Sequence, residues 1–166
     1  MKRRLLFILH LLSFLPALFL LCLIFSFSAQ NGEDSGSLSF QISLFIVQLI
    51  SPLLPTAATD DVLFARAEAI HLFVRKAAHM TEYFLLTISL HLPLFVYLKQ
   101  KLSFKKRLFF CLLAAIVFAA LDEFHQSFVD GRSGNLFDVG IDTIGILLAT
   151  LFLTIIAHLK RKRVKS

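Results

Sequence analysis

Arg75, His79 and Glu82 stand at i, i+4 and i+7 of one helical face, with Lys76 and Tyr83 on the adjoining strip. Asp122 and Gln126 repeat the four-residue spacing beside Glu123, and Asp138 and Asp142 repeat it again, continued by Gly145 and Ala149 at i+7 and i+11. One imidazole among carboxylates and cations supports three kinds of chemistry. A carboxylate desolvated by burial, beside a second kept ionised by Arg or Lys, forms an acid–base pair. One His with several carboxylates also suits a divalent cation. No two His share an i, i+4 spacing on one span, however, so no metal or other cofactor is assigned. The same groups can instead hydrogen-bond helices to one another. His79, Glu82, Asp122 and Asp138 are the candidate proton-transfer or orienting residues. Arg75, Lys76 and Arg132 can hold a phosphate or neutralise the carboxylates, with Tyr83, Glu123, Gln126 and Asp142 completing the binding set.

The elements that carry these residues are apolar. Hydrophobic residues make up 57% of the 166 and charged residues only 17%, with 19 Phe and a mean hydropathy of +0.78, which points to an integral membrane protein. The basic residues sit in short runs flanking apolar segments rather than among aromatics on one face, so nucleic acid is not an expected partner and membrane lipid is. Cys22 and Cys111 lie inside apolar runs and read as packing residues. Four spans follow, at about 5–27, 72–98, 108–129 and 136–159, within one domain covering 1–166. The first run has no charge and is about twice the length of a secretory h-region, which favours an uncleaved helix. The connection 28–71 carries Gly, Pro and carboxylates; inside it, 37–55 is apolar but too short to span and is expected to lie in the interface or over the bundle.

Length then sets depth. A helix crossing about 30 Å of hydrocarbon needs about 20 residues. Phe84–Leu98 has only fifteen and Leu108–Leu121 only fourteen, so both spans reach membrane length by taking in their polar ends. Three helices thus bring ionisable groups to one depth, where a shared polar cavity is cheaper than charges facing lipid. His91 is the only other ionisable side chain deep in spans two to four, which argues against an ion path. Ser13 and Ser28 have no His at a readable spacing, so no activated serine is proposed.

Charge gives the expected orientation. Thirteen of the seventeen Lys and Arg fall in the N-terminal tip, Lys99–Arg107 and Lys160–Lys165, and all eleven Asp and Glu fall on the opposite side. With positive residues inside, both termini are cytoplasmic and the polar cavity opens outward. The fold class expected is all-α, a four-helix membrane bundle with a short interfacial helix in the first outer connection.

The blocks "RKAAHMTEYFLL" (Arg75–Leu86) and "LDEFHQSFVDGRSGNLFDVGIDTIG" (Leu121–Gly145), with "FSAQ" (Phe27–Gln30), resemble the VanZ-like membrane proteins. The likeness covers most of the chain; Asp130 departs from it where Pro is common, Asp142 where Asn is frequent and Ala149 where a second Gly is often found. It adds Gln30 to the candidate binding residues. The resemblance implies a multi-pass protein of the bacterial cytoplasmic membrane, in a family whose founding member raises resistance to the glycopeptide teicoplanin. The ligand class expected is a phosphate-bearing headgroup of an envelope lipid or a lipid-linked cell-wall precursor. The residues leave open whether the protein modifies that ligand as an enzyme, binds and shields it, or is purely structural.

Overall fold

The computed structural model describes residues 8–53 and 59–165. The basic tip and the start of the expected first span, residues 1–7, lie outside the described residues, as do 54–58 at the end of the expected interfacial segment. The described chain is all helix and turn. α1 is Leu15–Ser28, with a helical run leading in from Ile8; α2 is Gly32–Ile50, followed by a 3-10 turn over Ser51–Leu53. α3 is Asp60–Leu98, α4 is Phe104–Gln126 and α5 is Leu136–Lys165.

Among the described residues, five helices rather than four are long and apolar enough to cross a membrane. The additional one is Gly32–Leu53, which corrects the reading of 37–55 as too short to span. Its helix starts earlier than the apolar run because Asn31 caps it, accepting from the Asp34 amide at 2.7 Å, and because Glu33 and Asp34 suit a helix N-terminus. The connection assigned to 28–71 is likewise mostly helix, since nothing from Asp60 to His71 is a Gly or Pro that would break one. α3 runs for 39 residues, about 58 Å at 1.5 Å per residue, nearly twice the hydrocarbon thickness.

α3 is the central element and packs against each of the other four helices. Its C-terminal half shares a core with α1, α4 and α5 built from Ile24, Tyr83, Leu86, Ala115, Ala119 and Ile146. His91 packs there too, with its Nδ1 3.9 Å from the Cys111 Sγ and its ring edge-on to Phe104. At that end Arg107, buried, donates to the carbonyls of Lys99 and Leu102 and so satisfies acceptors of the turn between α3 and α4.

The N-terminal half of α3 pairs with α2, where Phe40 stacks on Phe64 at 5.9 Å. The polarity of this pair is inverted relative to a helix pair in water. α2 buries Ser39 and Ser43 along with Val47, while Phe45 and Leu49 are 65% and 68% exposed. Burying the serines is cheap because each hydroxyl bonds a carbonyl of its own helix: Ser43 to Ser39 at 2.7 Å, Ser39 to Gly36 at 2.9 Å. Small residues inside and large apolar ones outside is the arrangement that lipid-embedded helices favour.

Candidate functional site

The polar residues of α3, α4 and α5 meet at one end of the helix packing, around the turn Ser127–Asn135. Two features bring the helices close enough. Gly145 on α5 lies against the backbone of α3, where an added Cβ would sit 2.1 Å from the Met80 carbonyl oxygen. This places Asp138 and Asp142 beside Arg75, Lys76 and His79. Gly131 holds the turn with φ of 72°, in the left-handed region that costs glycine little.

The turn is also tied to its neighbours. The Gly32 amide donates to the Asp130 carbonyl at 2.9 Å, and the Arg132 Nη2 donates to the Phe27 carbonyl at 3.0 Å. The end of α1, the start of α2 and the α4–α5 turn therefore form one rim. Asn135 opens α5: its Oδ1 accepts from the Asp138 amide at 3.0 Å while its Nδ2 donates to the Asp138 carboxylate at 3.0 Å. Its own amide donates to the Glu123 Oε2 at 3.1 Å, fixing that side chain of α4.

These elements enclose a cavity of about 190 Å³. Eight of the twelve sequence candidates line it: Arg75, Lys76 and His79 from α3, Glu123 and Gln126 from α4, Arg132 from the turn, and Asp138 and Asp142 from α5. The other four lie elsewhere. Glu82 sits behind His79, its Oε2 4.0 Å from the imidazole Nδ1 and so beyond hydrogen-bond range. Tyr83 and Asp122 are buried and line a second, apolar groove. Gln30 stands half-buried in the turn between α1 and α2 and is not among the cavity residues.

The charges are partly matched internally. Lys76 forms an ion pair and hydrogen bond with Asp138, and Gln126 Nε2 donates to Asp122 Oδ2 at 3.0 Å. Several buried atoms lack a hydrogen-bond partner: Arg132 Nε and Nη1, His79 Nδ1, Asp142 Oδ2 and Asp122 Oδ1. Burial draws the Arg132 guanidinium below its ordinary value, and nearby Arg75 adds to this, while Asp122, Glu123 and Glu82 oppose it. An arginine under that pressure gains from an added anion, since a buried donor left unpaired costs about 1–3 kcal/mol or more. Among the described residues, no group of three or more His, Cys, Asp or Glu side chains is gathered so as to hold a metal ion.

Sequence reasoning missed Asn135 and weighed Ser28 only as a nucleophile. Asn135 was detectable, because Asn directly before an apolar helical run is a preferred N-cap residue. Ser28 gives no such signal; it is fully buried at the end of α1 with its Oγ unpartnered.

Neither the curated proteins nor the solved structures compared contain a match to the chain. A family model described as VanZ/LLP1 does match, over residues 13–157, a range that includes every residue of the cavity. Together with helices of membrane-crossing length and composition, that match shows that this chain is a membrane protein of the VanZ/LLP1 family.

Proposed function

We propose that the cavity recognises the polar headgroup of an envelope lipid or lipid-linked cell-wall precursor, one that carries a phosphate together with hydroxyl or ammonium donors. The observation that carries this reading is Arg132, which lines the cavity beside Arg75 while two of its guanidinium nitrogens stay buried and unpaired. With Lys76 engaged by Asp138, the cavity offers two guanidinium groups and two further carboxylates, Glu123 and Asp142. A plain anion would meet as much repulsion as attraction there. A headgroup with a phosphate at one end and donors at the other meets both.

In this reading α1, the C-terminal half of α3, α4 and α5 form the four-helix bundle, both termini are cytoplasmic and the cavity faces outward. The basic runs at Lys99–Arg107 and Lys160–Lys165 support that orientation. The apolar face of the α2 pair is in contact with lipid in this reading. A link to glycopeptide resistance follows if the headgroup belongs to a wall precursor.

Calorimetric titration of the detergent-purified protein with glycerol 3-phosphate tests this. Binding is expected, weakened in Arg132→Ala by about ten-fold or more, as for loss of a hydrogen bond to a charged group. The loss should shrink as salt rises. No heat of binding up to a ligand concentration of about 10 mM, well above the 1 mM that corresponds to about −4 kcal/mol, would sink the proposal. A structural reading is favoured by the bonds that join elements across the site, Lys76 to Asp138 and Asn135 to Glu123. That reading expects Arg132→Ala to lower stability and leaves the titration flat.

A further inference from the structure

A second hollow, of about 540 Å³, lies between α1 and α4. Its walls are Leu21, Ile24 and Phe25 of α1 and Phe118 and Leu121 of α4, while Tyr83 and Asp122 supply its polar groups. Phe25 packs on His125 with ring centroids 4.4 Å apart, so the two helices are bridged toward the Gly131 end. From Leu21 to Ser26 the hollow follows α1 for about 7 Å along its axis. Phe25 and Leu121, 54% and 56% exposed, lie along its open side.

One hydrogen bond connects this hollow to the polar cavity. Asp122, which lines the groove, accepts from Gln126, which lines the cavity. The Asp122 Oδ1 is buried with no partner, and the side chain is only 6% exposed, an expensive carboxylate to place beside so much hydrocarbon. An ordinary lipid-facing crease needs no such group. A groove that receives the apolar part of a molecule whose polar part lies next door does need one at the boundary.

We propose that the groove between α1 and α4 holds a hydrocarbon chain of the ligand, so that the protein takes an intact amphiphile sideways from the membrane. The headgroup would lie at Arg75 and Arg132, the first polar linkage by the Tyr83 hydroxyl and the Gln126 amide, which can donate to it, and the chain against Leu21, Phe118 and Leu121. This rests on the headgroup reading of the cavity and adds the ligand's apolar half and its direction of entry. Water-soluble phosphates would then be fragments of the ligand.

The test uses full-length protein in phosphatidylcholine nanodiscs containing a trace of phosphatidylglycerol with a photoactivatable diazirine in mid-chain. Adducts should concentrate on the peptides holding Leu21–Ser26 and Phe118–Leu121, above those at the exposed Phe109, Phe110 and Phe152. Cys22→Trp, a substitution at an exposed position that fills the groove, should bring groove adducts down to that background; Phe110→Trp should not. Ser26→Phe repeats the test should Cys22→Trp fold poorly. Arg132→Ala should cut groove adducts by about ten-fold, matching loss of a hydrogen bond to a charged group. Groove adducts that form equally from a phosphatidylcholine probe and ignore Arg132→Ala would identify a surface lipid and overturn the proposal. Crosslinks from this face to a second copy of the chain would overturn it as well. Even labelling along all helices, with glycerol 3-phosphate still bound, refutes the chain groove alone; even labelling without that binding refutes the headgroup reading too.

Discussion

Two glycines five residues apart on α5 should respond to alanine with opposite signs. At Gly145 the new Cβ would lie 2.1 Å from the Met80 carbonyl oxygen and 2.9 Å from its carbon, both backbone atoms that no rotamer change can move. A carbon–oxygen contact normally sits at about 3.3–3.6 Å, so α5 and α3 must part by roughly 1 Å. Overpacking of this kind costs about 1–3 kcal/mol, more than the roughly 1 kcal/mol that alanine gains over glycine within a helix. At Gly140 a Cβ meets nothing within 4 Å, so only the gain remains. For a chain of this size about 1 kcal/mol moves the melting temperature by about 2–4 °C. Thermal unfolding in one detergent should show Gly140→Ala at or above the parent and Gly145→Ala below it by a few degrees. Gly145→Leu should fall further. Because Asp142 lies one turn from Gly145, and Lys76 lies one turn from Met80 with His79 next to it, Gly145→Ala should also weaken glycerol 3-phosphate binding while Gly140→Ala does not. Equal melting temperatures for the two alanine variants would show that α3 and α5 do not approach at Gly145, and the geometry derived for the cavity would go with it.

Other substitutions probe the rim. A double-mutant cycle on Lys76→Ala and Asp138→Ala should give a coupling of about 1 kcal/mol, small because both side chains are partly exposed and solvent screens them; a coupling near zero would mean that the pair does not form in solution. Asn135→Ala should lower stability by about 1 kcal/mol through loss of the cap on α5, read by the same thermal unfolding, whereas Asn135→Asp should retain most of it. Spin labels at Phe45 and Ser43 test the inverted pair: the first should collide freely with dissolved oxygen and little with an aqueous nickel chelate, the second with neither. A label at Phe45 that the aqueous chelate quenches more strongly would place α2 in water.

The composition of the site was legible from spacing alone because helices leave little freedom. Once Asp138, Asp142, Gly145 and Ala149 fall on one strip, the small residues must take the close contact and the carboxylates must follow. The structure has Ala149 fully buried and Asp142 only 1% exposed, on the side of α5 that meets α3. What spacing does not carry is the direction of each side chain. Asp122 and Glu123 are neighbours, yet one borders the apolar groove and the other the polar cavity. Glu82 likewise shares its face with Arg75 and His79 but lies a turn too deep to line the cavity.

The α2 segment was misread in length because its helix begins at Gly32, before the apolar run, and its packing follows a rule that polarity alone does not show. Its Ser37, Gln41, Gln48 and Ser51 resemble a thin polar stripe, and in water such a stripe would face solvent. The serines that settle its packing, Ser39 and Ser43, stand four residues apart between those positions and face the other way, into α3. A serine in a helix can pay its own hydrogen-bond cost through the preceding turn, so its hydroxyl says nothing about which side is wet. Its small volume is the informative property, and the N-terminal half of α3 likewise buries a small residue, Ala67. Reading that segment by side-chain size as well as polarity puts Leu38, Ile42, Phe45 and Leu49 on its outer side, where each is exposed beside the equally exposed Ser37, Gln41 and Gln48. The same rule applies across the chain: where the surrounding phase is lipid, large apolar residues report the outside and small ones report contact between helices.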